Sequence, residues 1–394
     1  MFCAAEAYPQ WFVQQSGVSG ALYRIQFVNR HTGWACGDDG IIKTTNGGLN
    51  WFRQTEGIPS EPLFGMYVVD SNIVYANGFY RTFIKTTNGG NNWISLDSGS
   101  VGSGTYVSLF FLNQNTGWLG NFESGAYGIR KTTDGGVTLK TVFFNGIPQD
   151  IYFKDDSIGI GVSESSYIYR SINGGLNWIG FPIAFAGDFY RVSFIDALTG
   201  FVSSSRAVFR TVNFGVTWDS IGRVSPERQA VYGLEFTDSM KGWAGTTHGI
   251  YRSTNGGRNW VQQVMTGLVY DIYACSDSIV WTCGNGGRIW HTDNGGASSI
   301  TINSYTPGSF ELFQNYPNPF NSSTVIRFRV EKRSVYRLEI FDILGKEISK
   351  IFNTSLSTGI YEINFYAGNL PTGIYIYRIS SANSSASKKF VLIK

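Results

Sequence analysis

The chain has 394 residues, more than one ordinary domain needs and enough for two. Its 31 Lys and Arg against 28 Asp and Glu exclude a strongly basic nucleic-acid footprint and an acidic solvating tail. Charged residues make up 15% of the chain and aromatic residues 16%, and there are 48 Gly, a balance that suits short strands and tight turns better than long helices.

The first residues, Met1-Phe2-Cys3-Ala4-Ala5-Glu6-Ala7, have neither a basic n-region nor an apolar h-region, so they are not a complete signal peptide. Further on, Gln10-Trp11-Phe12-Val13-Gln14-Gln15 reads as a strand and resembles the later segment Asn259-Trp260-Val261-Gln262-Gln263. From there one phrase recurs. It begins as Thr44-Thr45-Asn46-Gly47-Gly48-Leu49-Asn50-Trp51 and returns at residues 86–93, 132–139, 171–178, 211–218, 253–260 and 292–299. Its second Gly falls at Gly48, Gly90, Gly136, Gly175, Gly215, Gly257 and Gly296, so the period is between 39 and 46 residues. Four short strands and their turns need about 40 residues, the length of one propeller blade. Seven copies predict seven blades.

The third position of the phrase (Asn46, Asn88, Asp134, Asn173, Asn213, Asn255 and Asn294) is expected to accept a hydrogen bond from the backbone two residues on. The second Gly supplies positive φ to close a hairpin. An eighth-position indole (Trp51, Trp93, Trp178, Trp218 and Trp260) is expected to pack on a neighbouring strand. Upstream, Thr32-Gly33-Trp34, Thr116-Gly117-Trp118, Thr199-Gly200-Phe201 and Lys241-Gly242-Trp243 mark another turn and strand. A cation precedes each phrase: Lys43, Lys85, Lys131, Arg170, Arg210 and Arg252, with His291 in the last. The seventh copy ends in Ala297-Ser298-Ser299, without the indole, and the strand at residues 10–15 is expected to complete that blade. Such closure removes an exposed sheet edge.

The phrase Ser/Thr-x-Asn/Asp-x-Gly-x-x-Trp resembles the Asp-box, or BNR repeat, of sialidases. With Gly-Trp upstream and Lys/Arg-Thr before the box, it is more similar to the seven-bladed propellers of photosystem II assembly and stability factors. The resemblance covers residues 11–300 and implies a fold rather than a chemistry, because Asp-boxes are structural hairpins in these families.

Seven equivalent positions at the start of the inner strands are unlike one another: Arg24, Gly65, Ser108, Asp150, Arg191, Gly233 and Asp271. Variation inside a uniform repeat is where a ligand site can arise, so Arg24, Asp150, Arg191 and Asp271 are candidate binding residues. Inter-blade ion pairs, Arg24 with Asp271 and Arg191 with Asp150, are the structural alternative. The loops between second and third strands add Tyr80, Arg81, Phe122, Glu123, Tyr127, Glu164, Tyr167, Arg206, His248 and Arg288. Aromatic side chains beside Arg suit protein or glycan contact.

Residues 304–309 read as a linker between a propeller at 1–303 and a tail at 310–394. The tail alternates at strand period, as in Tyr336-Arg337-Leu338-Glu339-Ile340, and suits a small β-sandwich of six or seven strands. Its phrases Asn315-Tyr316-Pro317-Asn318-Pro319-Phe320-Asn321, Asp342-Ile343-Leu344-Gly345-Lys346, Leu370-Pro371-Thr372-Gly373 and the closing Lys388-Lys389-Phe390-Val391-Leu392-Ile393-Lys394 resemble the type A C-terminal sorting domain of the type IX secretion system. That resemblance implies a partner in the secretion machinery and a secreted or surface-displayed protein of a Gram-negative bacterium. It also implies an export signal upstream of Met1. A photosystem role does not accompany it.

The expected class is therefore all-β: a seven-bladed propeller followed by an Ig-like sandwich. Cys3, Cys36, Cys275 and Cys283 are too few for a disulfide scaffold and form no CxxC; Cys36 and Cys283, each in an apolar strand just before a Gly, are expected to be buried free thiols. His31, His248 and His291 do not cluster, so neither metal nor cofactor is expected. The favoured function is binding of a protein or glycan, with no nucleic-acid partner and no transmembrane segment. A glycoside hydrolase is the alternative. It needs two carboxylates within about 5 to 9.5 Å, and Asp150 and Asp271 are expected to lie too far apart across the channel. Tyr23-Arg24-Ile25-Gln26 faintly resembles the sialidase Tyr/Phe-Arg-Ile-Pro phrase, but Gln26 stands where Pro is expected.

Overall fold

Short strands broken every few residues by Gly-rich turns leave each segment only its sequence neighbours to pair with, and the chain folds into successive antiparallel sheets. A computed structural model describes residues 11–96, 104–123, 126–143, 146–184, 186–227, 229–296, 310–382 and 384–393. Two compact units divide the chain, residues 1–299 and 300–394. Among the described residues the first unit holds seven four-stranded sheets. It is a seven-bladed β-propeller.

The inner strands are Leu22–Phe27, Leu63–Val68, Thr105–Phe111, Pro148–Phe153, Phe189–Phe194, Val231–Phe236 and Val269–Ala274. Second strands such as Gly33–Gly37 and Gly242–Thr246 are buried along their whole length, because blades pack on both of their faces. The strand Phe12–Gln14 pairs with Ile289–Thr292, Phe12 opposite His291, and is the fourth strand of the sheet built on Val269–Ala274. Both ends of the propeller segment therefore share one blade.

In the repeated phrase a hydroxyl does most of the turn-making. Thr44 Oγ1 accepts from Asn46 N at 3.3 Å and from Gly48 N at 2.9 Å, whereas Asn46 Oδ1 accepts from Asn50 N at 3.0 Å. The side-chain bond expected two residues on is thus wider, reaching four residues. The expected short form occurs in the seventh copy, where Asn294 Oδ1 accepts from Gly296 N at 3.0 Å. Both glycines adopt positive φ, Gly47 at 73° and Gly48 at 87°. In the fifth copy Phe214 holds that conformation at φ 50°, stabilised by burial in its blade core.

In six of the seven copies the cation before the phrase stacks on the aromatic ring of the adjacent strand, whereas Arg170 stands opposite Ile160. Lys43 lies 5.0 Å from the Trp34 ring and Lys131 5.0 Å from Trp118, and His291 stacks on Trp281 at 4.6 Å. These pairs also reach the next blade. Lys131 Nζ and Trp118 Nε1 both donate to Gly174 O at 3.0 Å, and Trp243 Nε1 donates to Gly295 O at 2.9 Å. At the seam Trp281 Nε1 donates to Gly47 O at 3.2 Å, joining blade seven to blade one.

The second unit places Phe310–Leu312, Ser323–Val330 and Gly359–Tyr366 in one sheet. Glu347–Leu356, Ser334–Asp342, Gly373–Ser381 and Ser384–Leu392 form the other. Phe328, Tyr336, Leu338, Tyr377 and Phe390 fill the core between them. Asn315 is buried and donates to Thr324 Oγ1 at 2.9 Å, while its backbone N–H donates to the Tyr377 hydroxyl at 2.8 Å. That network is the physical reason for the Asn-Tyr-Pro phrase: the amide locks an irregular segment onto the sandwich.

Candidate functional site

Every inner strand carries the same irregularity. Pairing to the second strand slips between Leu22 and Arg24, Leu63 and Gly65, Tyr106 and Ser108, Pro148 and Asp150, Phe189 and Arg191, Val231 and Gly233, and Val269 and Asp271. A bulge adds one residue and turns two consecutive side chains toward the same face. Each blade therefore offers the channel three positions, the two of the bulge and one two residues later.

The first of these forms the channel mouth: Tyr23, Phe64, Val107, Gln149, Tyr190, Tyr232 and Tyr270 line a cavity of about 260 Å³. Their rings touch in an arc, Phe64–Tyr23 at 5.1 Å, Tyr23–Tyr270 at 4.9 Å, Tyr270–Tyr232 at 6.1 Å and Tyr232–Tyr190 at 4.7 Å. Phe79 extends it at 4.7 Å from Phe64. Burial pushes the Tyr23, Tyr190 and Tyr270 phenols up, with Asp38 adding to the shift at Tyr23 and Tyr232 adding to it at the other two. All three hydroxyls stay neutral donors.

The second position supplies a belt across the channel below the mouth. Arg24 Nη2 lies 3.5 Å from Asp150 Oδ1 and its Nη1 lies 3.7 Å from Asp271 Oδ1, while Arg191 Nε lies 3.4 Å from Asp271 Oδ1. The remaining carboxylate oxygens accept backbone N–H groups, Asp150 Oδ2 from Val192 at 3.1 Å and Asp271 Oδ2 from Ile25 at 3.0 Å. The expected pairing of Arg24 with Asp271 is present. Arg191 pairs with Asp271 rather than Asp150, because the long Arg24 side chain crosses the channel and takes Asp150. The two carboxylates are not too far apart to act together, contrary to the sequence expectation, since one guanidinium spans both. Burial, and then the Arg24 charge, push the Arg191 guanidinium below its ordinary value against the pull of Asp271 and Asp150.

The third position lies deeper. Gln26, Tyr67, Phe110, Tyr152, Ser193, Glu235 and Tyr273 line a cavity of about 230 Å³ beneath the belt. Burial pushes the Glu235 carboxyl up to about 8, and the Asp271 and Asp150 charges add to the shift; a long hydrogen bond from Ser193 Oγ at 3.4 Å opposes it. Glu235 escaped sequence reading because only the belt position was singled out. Strand alternation two residues on from Gly233 was the available signal.

The loop candidates are more dispersed. Arg81 forms an ion pair with Glu123, and both Tyr80 and Arg81 adopt positive φ, at 51° and 58°, leaving the Tyr80 ring exposed. Phe122 stacks on Tyr127 at 5.8 Å and Tyr167 on Tyr169 at 6.0 Å. Arg206, His248 and Arg288 are exposed on their own loops, Arg288 tied to Thr266 O at 2.7 Å. Of this group Glu164 alone lines the mouth, bonded to Gln149 at 2.8 Å. Cys36 and Cys283 are buried free thiols and Cys275 is an exposed one; Cys3 lies outside the described residues. Among the described residues no His/Cys/Asp/Glu group could hold a metal ion, and no helix is long and apolar enough to cross a membrane.

Comparison with known proteins bears on both units. Residues 314–394 match the family described as the secretion system C-terminal sorting domain. Among solved structures, YCF48 bound to D1 peptide superposes with a TM-score of 0.58 at 19% identity, covering 72% of this chain and 97% of that one. YCF48 from Cyanidioschyzon merolae gives 0.58 at 16% identity, covering 72% and 98%. The WD40 propeller domain of Doa1 gives 0.57 at 10% identity, covering 71% and 96%. No curated protein matches the chain. The chain thus joins a seven-bladed propeller that resembles YCF48 to a C-terminal segment that matches the secretion sorting domains.

Proposed function

We propose that this is an exported recognition protein whose channel mouth binds a protein or glycan partner, and that residues 310–394 direct its type IX secretion to the surface of a Gram-negative cell. One observation carries the binding reading: the aromatic arc from Phe64 to Tyr190 stands over a floor containing Arg24 and Arg191. Rigid aromatic rings give large contact area at little entropic cost, and buried guanidinium groups supply directional donors. YCF48 bound to D1 peptide supports the reading, as a peptide complex of a protein with this fold. The test is capture of surface proteins and glycans from an array by the full chain and by a Tyr232→Ala/Tyr270→Ala variant. A ligand held by the native mouth should weaken at least tenfold in the variant. A ligand held equally by both refutes the mouth as the site.

Glycoside hydrolysis is the second reading, favoured by the single guanidinium bridging Asp150 and Asp271. It is the weaker one, because both carboxylates spend their oxygens on arginines and backbone N–H groups, which leaves neither poised as a general acid. No turnover of aryl glycosides is expected from the native chain; turnover abolished by Asp150→Asn or Asp271→Asn would establish the enzyme. For export, deletion of 310–394 should leave a folded propeller retained inside the cell, and surface delivery of that shortened chain would disprove the role assigned to the tail.

A further inference from the structure

The cavity beneath the belt is chemically unlike the mouth above it. Tyr67, Phe110 and Tyr152 come from three successive blades, with ring pairs at 5.2 Å and 67° and at 5.3 Å and 57°. These inclined rings line the cavity side by side, and Tyr273 stands farther round the same wall. The carboxyl of Glu235 shares that space, its Ser193 contact long at 3.4 Å. Charges facing Glu235 are the carboxylates of Asp271 and Asp150, and both disfavour its ionisation. Arg24 and Arg191 are committed to those same carboxylates within the belt. The phenols of Tyr67 and Tyr273 are pushed up by burial and remain neutral. An anion would meet three carboxyl groups here. A metal ion lacks a ligand set among the described residues. At about 230 Å³ the space lies below the roughly 300–1,000 Å³ that drug-sized ligands occupy.

We infer that this cavity binds a small organic ammonium ion, the aromatic wall facing the cation and Glu235 supplying the counter-charge. Aromatic rings around a carboxylate satisfy such a cation without a full shell of hydrogen bonds. Binding has a proton consequence. Burial and the neighbouring carboxylates keep Glu235 protonated at neutral pH, and an arriving cation favours the carboxylate, so one proton leaves as the ligand enters. A quaternary ammonium has no proton of its own, so the pH dependence of its affinity reports Glu235.

The experiment titrates the full chain with tetramethylammonium chloride at pH 7 and pH 9, followed by calorimetry in two buffers and by tyrosine fluorescence. tert-Butanol serves as the neutral probe of similar shape. Saturable binding is expected, roughly tenfold tighter at pH 9, with proton release at pH 7 and no saturation by tert-butanol. Glu235→Gln should lose the pH dependence and most of the affinity. Tyr152→Leu should weaken binding at both pH values and keep the pH dependence; if Glu235→Gln does not fold, this variant decides. The mouth variant Tyr232→Ala should bind tetramethylammonium as the native chain does, which separates this site from the one above. Absence of saturation at millimolar tetramethylammonium and pH 9, equal binding of tert-butanol, unchanged affinity in Tyr152→Leu, or loss of binding in Tyr232→Ala each overturns the inference.

Discussion

Arg24 is the keystone of the channel, because Asp150 has its arginine contact through Arg24, whereas Asp271 also holds Arg191. Arg24→Met should therefore cost about 3–5 kcal/mol in urea unfolding by stranding a buried carboxylate, and Arg24→Met/Asp150→Asn should recover most of that loss. Equal losses in the single and double variants would show that the belt is not an electrostatic unit. Glu235 makes a pH prediction of definite sign. Its carboxyl holds a proton in the folded chain up to about pH 8, whereas the unfolded chain releases it near 4.5. Across that window the folded state binds the extra proton, so the stabilisation is complete below the lower value and is lost as pH rises toward the upper one. Glu235→Gln should thus raise the melting temperature more at pH 8.5 than at pH 5, by an amount worth a few kcal/mol at the higher pH. A pH-independent difference would contradict the shift.

At the scale of the element, the repeated turn and its cation act as a clamp between blades. Trp243→Phe keeps the ring under Arg252 but removes the donor to Gly295 O, and should cost about 1–2 kcal/mol by thermal unfolding. An unchanged midpoint would mean that the indole contributes area alone. This scale also shows what could be read from sequence. Blade count, the order of strands and the sandwich followed from period, glycine placement and alternation, since those signals are local. The channel was only partly legible. Strict alternation sends Tyr23 away from the face that Arg24 occupies, and nothing in the local pattern announces a bulge that brings both to one side. Reach was hidden as well: neighbouring blade numbers suggested Arg24 with Asp271, but only three dimensions show the same side chain crossing to Asp150.

For the whole molecule, ring closure rests on a short strand. Trp11 is buried, and Phe12–Gln14 supplies the fourth strand of the last blade. Deleting residues 1–15 should lower stability by several kcal/mol, as loss of a buried Trp alone costs about 3–5. A melting temperature that does not move would refute closure by this strand. The seven bulges have a wider consequence. Of the three lumen positions on each inner strand, the second carries the ionic belt and the third reaches the blade cores through Tyr67, Phe110, Tyr152 and Tyr273, whereas the first, at the mouth, lies outside those cores. Selection can therefore rewrite the mouth of the channel one blade at a time while the ring keeps its shape, so that specificity at the mouth and foldability evolve on separate sets of residues.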